Sequence, residues 1–345
     1  MSPYQNLPRR NFWRTGVAQS PATEIADLYI KKFDIPADAQ IATAGSCFAQ
    51  HIKRHMSASG FKVLDLEPPP LGLPPDRQLA YGFGLFSARY GNIYTVRQLL
   101  QLAREALGLL QPAHAVWQKG ERFIDGLRPA VEPLGFTEPG VVLLHRRSHL
   151  GKVKALLERM NLMIFTLGLT EAWVDAVDGV VYPTAPGTLG MPVGAAELEF
   201  RNFTTAQTIA DFIEFRGLVQ AFNPSCRFLL TVSPVPLTAT ATQDHVLVAT
   251  SYSKAALRAA AGELAAAHPD IDYFPSFELI SSPVFKGAFF EANQRSVAPA
   301  GVQFVMETFF RAHPPHTAAA GPAATPAAPQ VDEACEDALL EAFVK

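Results

Sequence analysis

The stretch Ile41-Ala42-Thr43-Ala44-Gly45-Ser46-Cys47-Phe48-Ala49-Gln50-His51 constrains this chain more than any other. Residues 41–44 read as a short buried strand, Gly45 as a tight turn, and the residues from Cys47 onward as a helix. A strand that turns directly into a helix is the repeating unit of open α/β sheets. It places Ser46 at a strand's carboxyl end, where such sheets hold their ligands. Gly45 lets the backbone turn with no Cβ in the way, and a helix opening at or just after Ser46 aims unpaired N–H groups at the hydroxyl. That is a setting for a nucleophile beside an oxyanion cradle. The same residues also suit a plain helix cap, with Ser46 closing the first turn and carrying no chemistry.

The rest of the chain repeats the unit. Residues 47–58 continue as the first helix and 61–66 as a second strand, after which Glu67-Pro68-Pro69-Pro70 ends regular structure. A helix over 148–160 leads into an apolar strand over 162–167. Another over 205–222 leads into a strand over 227–232, and an alanine-rich one over 251–267 into a strand over 271–274. Apolar residues at helical spacing add a helix over 96–110, and 111–145 reads as a small hairpin insertion. Strands alternating with helices require right-handed crossovers and a parallel sheet. The expected fold is α/β: a three-layer α/β/α sandwich on a mainly parallel five-stranded sheet.

Around that domain, placed over 40–312, the flanks differ in kind. Residues 1–39 read as an arm packed on the core through Phe12, Trp13, Leu28, Tyr29 and Phe33, with one helical stretch over 24–33. Residues 313–330 are a Pro/Ala linker. Residues 331–345 form an amphipathic helix with Cys335, Leu339, Ala342 and Phe343 on one face, expected to dock on its own domain or on a protein partner. The Gly- and Pro-rich run over 174–204 reads as a substrate-covering loop or as a packed Ω-loop.

Composition excludes several functions. A net charge of -3 and a pI near 6.3 leave no basic field for nucleic acid. The N-terminus is too polar for a signal peptide, and no stretch approaches a membrane span. Cys47, Cys226 and Cys335 are widely separated and lack metal-ligand spacing. Neither a metal nor another cofactor is expected, and the reducing cytoplasm is the expected compartment.

The run Gly45-Ser46-Cys47-Phe48-Ala49 resembles the signature of the GSCFA family, which is related to the SGNH-hydrolase (GDSL-like) esterases. Gly91-Asn92-Ile93-Tyr94-Thr95, the run from Phe165 through Gly168-Leu169-Thr170-Glu171 to Trp173, Thr231-Val232-Ser233-Pro234-Val235 and Tyr273-Phe274-Pro275-Ser276 are similar to that family's segments, in its order. The resemblance implies an SGNH-like, flavodoxin-like fold and serine-dependent chemistry on the acyl ester of a hydroxylated substrate, a carbohydrate by preference. Hydrolysis and transfer to a second hydroxyl would share one acyl-enzyme. The alternative is a binding or scaffold protein that kept the fold and uses its pocket to hold a glycan or its precursor.

The resemblance also assigns roles. Ser46 would be the nucleophile, with an oxyanion cradle made by its own N–H, by Gly91 or Asn92, and by Thr170 where SGNH relatives carry asparagine. Thr170 equally suits a cap on a helix opening at Glu171. SGNH enzymes place Asp-x-x-His before the last helix; here that stretch is Asn293-Gln294-Arg295-Ser296, without a histidine. Of the nine histidines, His245 lies on a loop after a strand's carboxyl end and is the candidate base, with Glu171 to orient it. Cys47 is an alternative nucleophile, since a helix N-terminus lowers a thiol's pKa. Lys254, Arg258 and Arg295 read as surface or loop residues.

Overall fold

In the computed structural model, which describes residues 2–315 and 336–344, the opening segment folds as its residue order dictates. Strand β1 (Ile41–Gly45) ends at the glycine, and helix α1 (Phe48–Ala58) begins just beyond Ser46. Gly45 has a φ of 139°, which side-chain-bearing residues rarely adopt, and a Cβ there would meet the Thr166 carbonyl oxygen at 2.4 Å. The chain continues through α2 (Pro75–Ala80), α3 (Val96–Ala106), the hairpin β2 (Val116–Lys119) and β3 (Arg122–Asp125), and α4 (Pro139–Arg159). Next come β4 (Leu162–Leu167), β5 (Glu171–Asp175), β6 (Val181–Tyr182), β7 (Met191–Pro192), β8 (Leu198–Asn202) and α5 (Thr205–Gln220). The domain ends with β9 (Arg227–Val232), α6 (Val246–Ala267), β10 (Ile271–Phe274), α7 (Ser276–Ser281) and α8 (Pro299–Ala312).

Strands β1, β4, β9 and β10 pair in that order, all parallel, with Gly45 opposite Thr166 and Thr166 opposite Thr231. Side chains alternate across a strand. Ala42, Ala44, Phe165 and Leu230 therefore pack with Leu99, Leu156, Phe212 and Leu257 from α3, α4, α5 and α6. Ile41, Ile164 and Leu229 face the other way, onto Phe48, Leu279 and Phe309 from α1, α7 and α8. Helices thus cover both faces of a parallel sheet, the layering expected from the alternation.

The outer edge of β1 departs from expectation. Three short pieces of chain satisfy it in turn, where a fifth strand was expected. The Ile41 N–H donates to the Lys62 carbonyl and the Leu64 N–H to the Ile41 carbonyl. Thr43 donates to the Ser87 hydroxyl and accepts from the Ser87 N–H. Ile93 then donates to the Gly45 carbonyl. The expected strand over 61–66 shrinks to one bridge, Val63 to Ile41, because the next groups along that edge, on Thr43 and Gly45, are taken by Ser87 and Ile93.

Other expectations are corrected as well. The run over 174–204 carries short strands where plain loop was expected: β5 pairs antiparallel with β6 and β8, while β7 joins the β2–β3 hairpin. In the arm there is no helix over 24–33, since Asp27 has a φ of 57° that a right-handed helix does not admit. Tyr29 is buried and Leu28 and Phe33 pack against the core, but Phe12 is exposed and Trp13 is 71% exposed. The aromatic residues near the start of the arm are not part of the packed layer. Helix α4 begins at Pro139, ahead of the expected 148. At the C-terminus, Cys335 and most of the Pro/Ala linker lie outside the described residues. The segment Glu336–Phe343 is a 3-10 helix with Leu339 and Phe343 exposed. No described helix is long and apolar enough to cross a membrane.

Candidate functional site

Ser46 stands where β1 hands over to α1, only 3% exposed, and its Oγ is buried with no hydrogen-bond partner. A buried polar atom left unpaired is uncommon and calls for a reason. The Ser46 N–H donates to the Thr166 carbonyl at 3.2 Å and so prolongs the β1–β4 ladder. That corrects one expectation: the serine's own N–H is engaged in the sheet and is not an open oxyanion donor.

Two turns close over the hydroxyl. Gly168 packs directly against Ser46, so that a Cβ on it would lie 2.8 Å from Ser46 Cβ and 3.2 Å from the Tyr94 carbonyl oxygen. The same Tyr94 oxygen accepts from the N–H groups of Gly168 and Leu169 at 3.0 and 2.9 Å. The 91–94 loop, turned by Gly91 at a φ of 70°, therefore crosses the ends of β1 and β4. Asn92 is buried in it and accepts from Gln50 Nε2 of α1 at 3.2 Å. Thr170 is held by both backbone groups: its N–H donates to Ser253 Oγ at 3.1 Å and its carbonyl accepts from Phe203. Its Oγ1 is buried and unpaired, like the hydroxyls of Ser46 and Thr166. Since Glu171 opens strand β5 and no helix starts there, Thr170 is not a helix cap.

The other sequence candidates fall elsewhere. His245 is exposed and caps α6, its Nδ1 accepting the Leu247 N–H at 3.2 Å; it bonds neither Ser46 nor Glu171. Glu171 accepts from Thr240 Oγ1 at 2.7 Å and from the Ala241 N–H, so it pins the 238–242 loop to β5. Cys47 packs in the apolar cluster with Phe48, Ile52 and the α8 side chains, on the core side of the turn. Asn293 closes a turn by accepting from the N–H groups of Arg295 and Ser296.

Sequence reasoning placed the helix that is α6 but missed its contacts with the Gly168–Thr170 turn. Lys254 is 3% exposed, not a surface residue, and its Nζ donates to the Gly168 carbonyl at 2.7 Å. A signal was present: Ala249, Ser253, Leu257 and Leu264 recur at helical spacing, which puts Ser253 on the buried stripe and Lys254 beside it.

With this geometry in place, the comparison with known families is decisive over most of the chain: the GSCFA family matches residues 40–309. The chain belongs to the GSCFA family. No curated protein matches it. The match begins just before β1 and ends inside α8, so the GSCFA domain is the sheet with its two helical layers, and Ser46 lies within it. Among the described residues of the GSCFA domain, no group of three His, Cys, Asp or Glu could hold a metal ion.

The contact at Gly168 gives a test of the site's packing. Gly168→Ala puts a methyl into Ser46 Cβ, and overpacking of this kind costs about 1–3 kcal/mol. The variant is expected to melt earlier and to lose any Ser46-dependent reaction, whereas Gly151→Ala, inside α4 with open space around it, should spare the reaction and melt no earlier than the parent.

Deeper in the GSCFA domain lies a second polar cluster. Arg146 of α4 donates to Glu105 of α3 and, at 2.9 and 3.0 Å, to both oxygens of Asp125, which also accepts from Arg128 at 2.7 Å. One turn along α4, His149 Nδ1 meets Glu67 Oε2 at 2.7 Å. A cavity of about 20 Å³ is lined by Asn92, Gln98, Arg128, Arg146 and His149, room for a water and not for an ester. The cluster is a strut between α3, α4 and the hairpin.

Burial holds the His149 imidazole down, to about 4 from 6.5, with the nearby Arg128 adding to it against the pull of Glu67. In the unfolded chain the same group takes a proton near 6.5, so unfolding takes up a proton between pH 6.5 and 4. Stability is therefore present above 6.5 and withdrawn as pH falls to about 4, by on the order of 3 kcal/mol from this group. Unfolding free energies measured across that range should show the loss, and His149→Gln, which keeps a donor for Glu67 without titrating, should lack that share. An identical acid limb in both proteins contradicts the assignment.

Proposed function

We propose that this GSCFA domain is a serine-dependent esterase or O-acyltransferase acting on an acyl ester of a hydroxylated substrate, with a carbohydrate as the first choice. The observation that carries the reading is the Ser46 hydroxyl, unpaired at a glycine turn between strand and helix, with Gly168 against it and the unpaired Thr170 hydroxyl two residues beyond. A fold that leaves buried hydroxyls without partners gives up roughly 1–3 kcal/mol for each, and a substrate rich in hydroxyls is the ligand chemistry that would satisfy them. Ser46 would attack the acyl carbon. The alcohol would leave with the serine's proton, and water or a second hydroxyl would then release the acyl group. Buried as thiols, Cys47 and Cys226 suit the cytoplasm as the compartment.

A second reading is a glycan-binding protein on the same fold. It is favoured by the engaged Ser46 N–H and by the absence of a hydrogen bond from any described base to Ser46 Oγ. A series of p-nitrophenyl esters of increasing acyl length separates the two. Saturable turnover that Ser46→Ala abolishes supports the enzyme; no turnover at any length between pH 5 and 9, together with binding of a glycan to both proteins, supports the binder.

A further inference from the structure

We infer that the start of the N-terminal arm, residues 4–14, docks on an anionic lipid bilayer. Tyr4, Phe12 and Trp13 would enter the interface, and Arg9, Arg10 and Arg14 would meet the headgroup phosphates. The inference does not depend on the esterase reading.

Three observations carry it. First, the segment is folded and yet leaves its large side chains outside. Arg9–Asn11 is a 3-10 turn and Arg14–Ala18 a π-helical turn. The Phe12 N–H and, at 2.7 Å, the Thr15 hydroxyl both donate to the Arg9 carbonyl, and the Gly16 N–H donates to the Phe12 carbonyl at 2.7 Å. The two turns pack so closely that a Cβ on Gly16 would meet the Arg10 carbonyl oxygen at 2.8 Å. Exposed apolar residues scattered singly need no explanation, but Tyr4, Leu7, Phe12 and Trp13 are all exposed within this short, self-bonded stretch. Second, its charge is of one sign. Residues 2–23 contain Arg9, Arg10 and Arg14 and no Asp, Glu or Lys, in a chain whose net charge is -3. All three arginines are exposed, and guanidinium stays charged at any working pH. Asp27 approaches Arg10 at 3.7 Å and offsets part of one charge. Third, the arm is fixed to the domain, since Tyr29, Ile35 and, more loosely, Leu28 and Phe33 pack into the core. What the arm's first residues hold, the domain follows.

The occupant of such a surface has to supply negative charge and an apolar medium together. An anionic bilayer does both: tryptophan and tyrosine rings settle at the headgroup level, and arginines near the surface gain from its negative potential. Apolar insertion and basic charge are also the two signals that peripheral attachment needs at once. An acidic protein surface would supply the charge, but it would have to offer a matching pocket for each protruding side chain. A fluid interface accepts them at the spacing they have. Attachment of this kind needs no spanning helix, and there is none among the described residues.

The test uses the full chain with vesicles of phosphatidylcholine, alone or with one third phosphatidylglycerol, read by co-sedimentation and by tryptophan emission. Trp117 is fully buried and Trp173 partly so, whereas Trp13 is 71% exposed, so a blue shift on vesicles reports the arm. Partition should be about 25-fold stronger or more on the mixed vesicles, roughly fivefold for each of Arg9 and Arg14, and should fall as salt rises. Replacing Arg9, Arg10 and Arg14 together by glutamine should erase that preference. Phe12→Ser with Trp13→Ser should weaken partition by about tenfold or more, and Trp13→Phe should keep partition while losing the blue shift. The substituted side chains are exposed, so each variant should melt with the parent. No partition onto the mixed vesicles at low salt overturns the inference. Partition that the arm variants leave unchanged overturns it too, because the contact would then lie elsewhere on the protein. It falls as well if Trp13 emits as a buried indole in the protein alone and Leu339→Ser with Phe343→Ser moves that emission to the red. The arm would then be covered by the chain's own acidic C-terminal segment.

Discussion

Arg146→Met is expected to destabilise the protein by about 3 kcal/mol at pH 8, the low end of the 3–5 kcal/mol that follows removal of one partner from a buried ion pair. Arg146 is the shared partner of two buried carboxylates, and the two respond differently to its loss. Burial pushes Asp125 up, but the guanidinium groups of Arg146 and Arg128 outweigh that and hold the carboxyl below its usual range. Arg128 would remain to pair with it. At Glu105 burial prevails over Arg146, and the carboxyl lies above its usual range. Without Arg146, Glu105 would therefore take up a proton readily, which limits the cost. The cost should consequently be larger at pH 8 than at pH 5.5, whereas a purely steric loss would be the same at both. Urea titrations of both proteins at the two pH values read it directly; a loss under 1 kcal/mol at pH 8 would mean that the cluster is solvated and not a strut.

The parts of the fold legible in the sequence are those whose signal is local. The runs over 162–167, 227–232 and 271–274 are apolar, bounded by turn residues and buried on both faces, and the strands β4, β9 and β10 occupy those same residues. The Gly45-Ser46 turn was legible for the same reason: a glycine between a strand and a helix has few other uses. What was not legible depended on partners distant in sequence. Residues 61–66 have strand composition, yet whether they pair is decided by Ser87 and Ile93, which compete for the same edge of β1. Residues 174–204 look like loop because their Gly and Pro residues dominate. The short strands between those turns are held by Trp173 against Phe200 and by pairing with β2. At the candidate site, Ser46 was singled out by its turn, and Asn92 and Thr170 by the resemblance to the family's segments. His245 was chosen because it follows a sheet strand, but position on a rim does not fix direction, and its imidazole closes the first turn of α6. Lys254 escaped because a lysine in an alanine-rich helix is usually solvated; its burial and its contact with Gly168 show otherwise.

Ser46→Ala is expected to remove all ester turnover, a loss of at least a thousandfold, and to leave the protein as stable as the parent or about 1 kcal/mol more so. The sign of the stability change is the informative part. Ser46 Oγ is buried and bonds nothing, so deleting it relieves an unsatisfied group and removes no cap. Residues retained for chemistry commonly carry such a stability cost. A serine kept only as a helix cap would show the opposite, a loss of about 1 kcal/mol with no functional consequence. Cys47→Ala serves as the control for the thiol. Cys47 lies in the core cluster behind the turn, so its truncation should lower stability and spare turnover.

The most direct measurement is the mass of the intact protein after treatment with a fluorophosphonate, followed by peptide mapping of the adduct. One adduct per chain, on the peptide containing residues 46 and 47, fragmenting to Ser46 and absent from Ser46→Ala, is the predicted result. An adduct on Cys47 would move the chemistry to the thiol. No adduct on a folded protein, under conditions that saturate a control esterase, would contradict a nucleophilic Ser46 and leave the binding protein as the reading that fits.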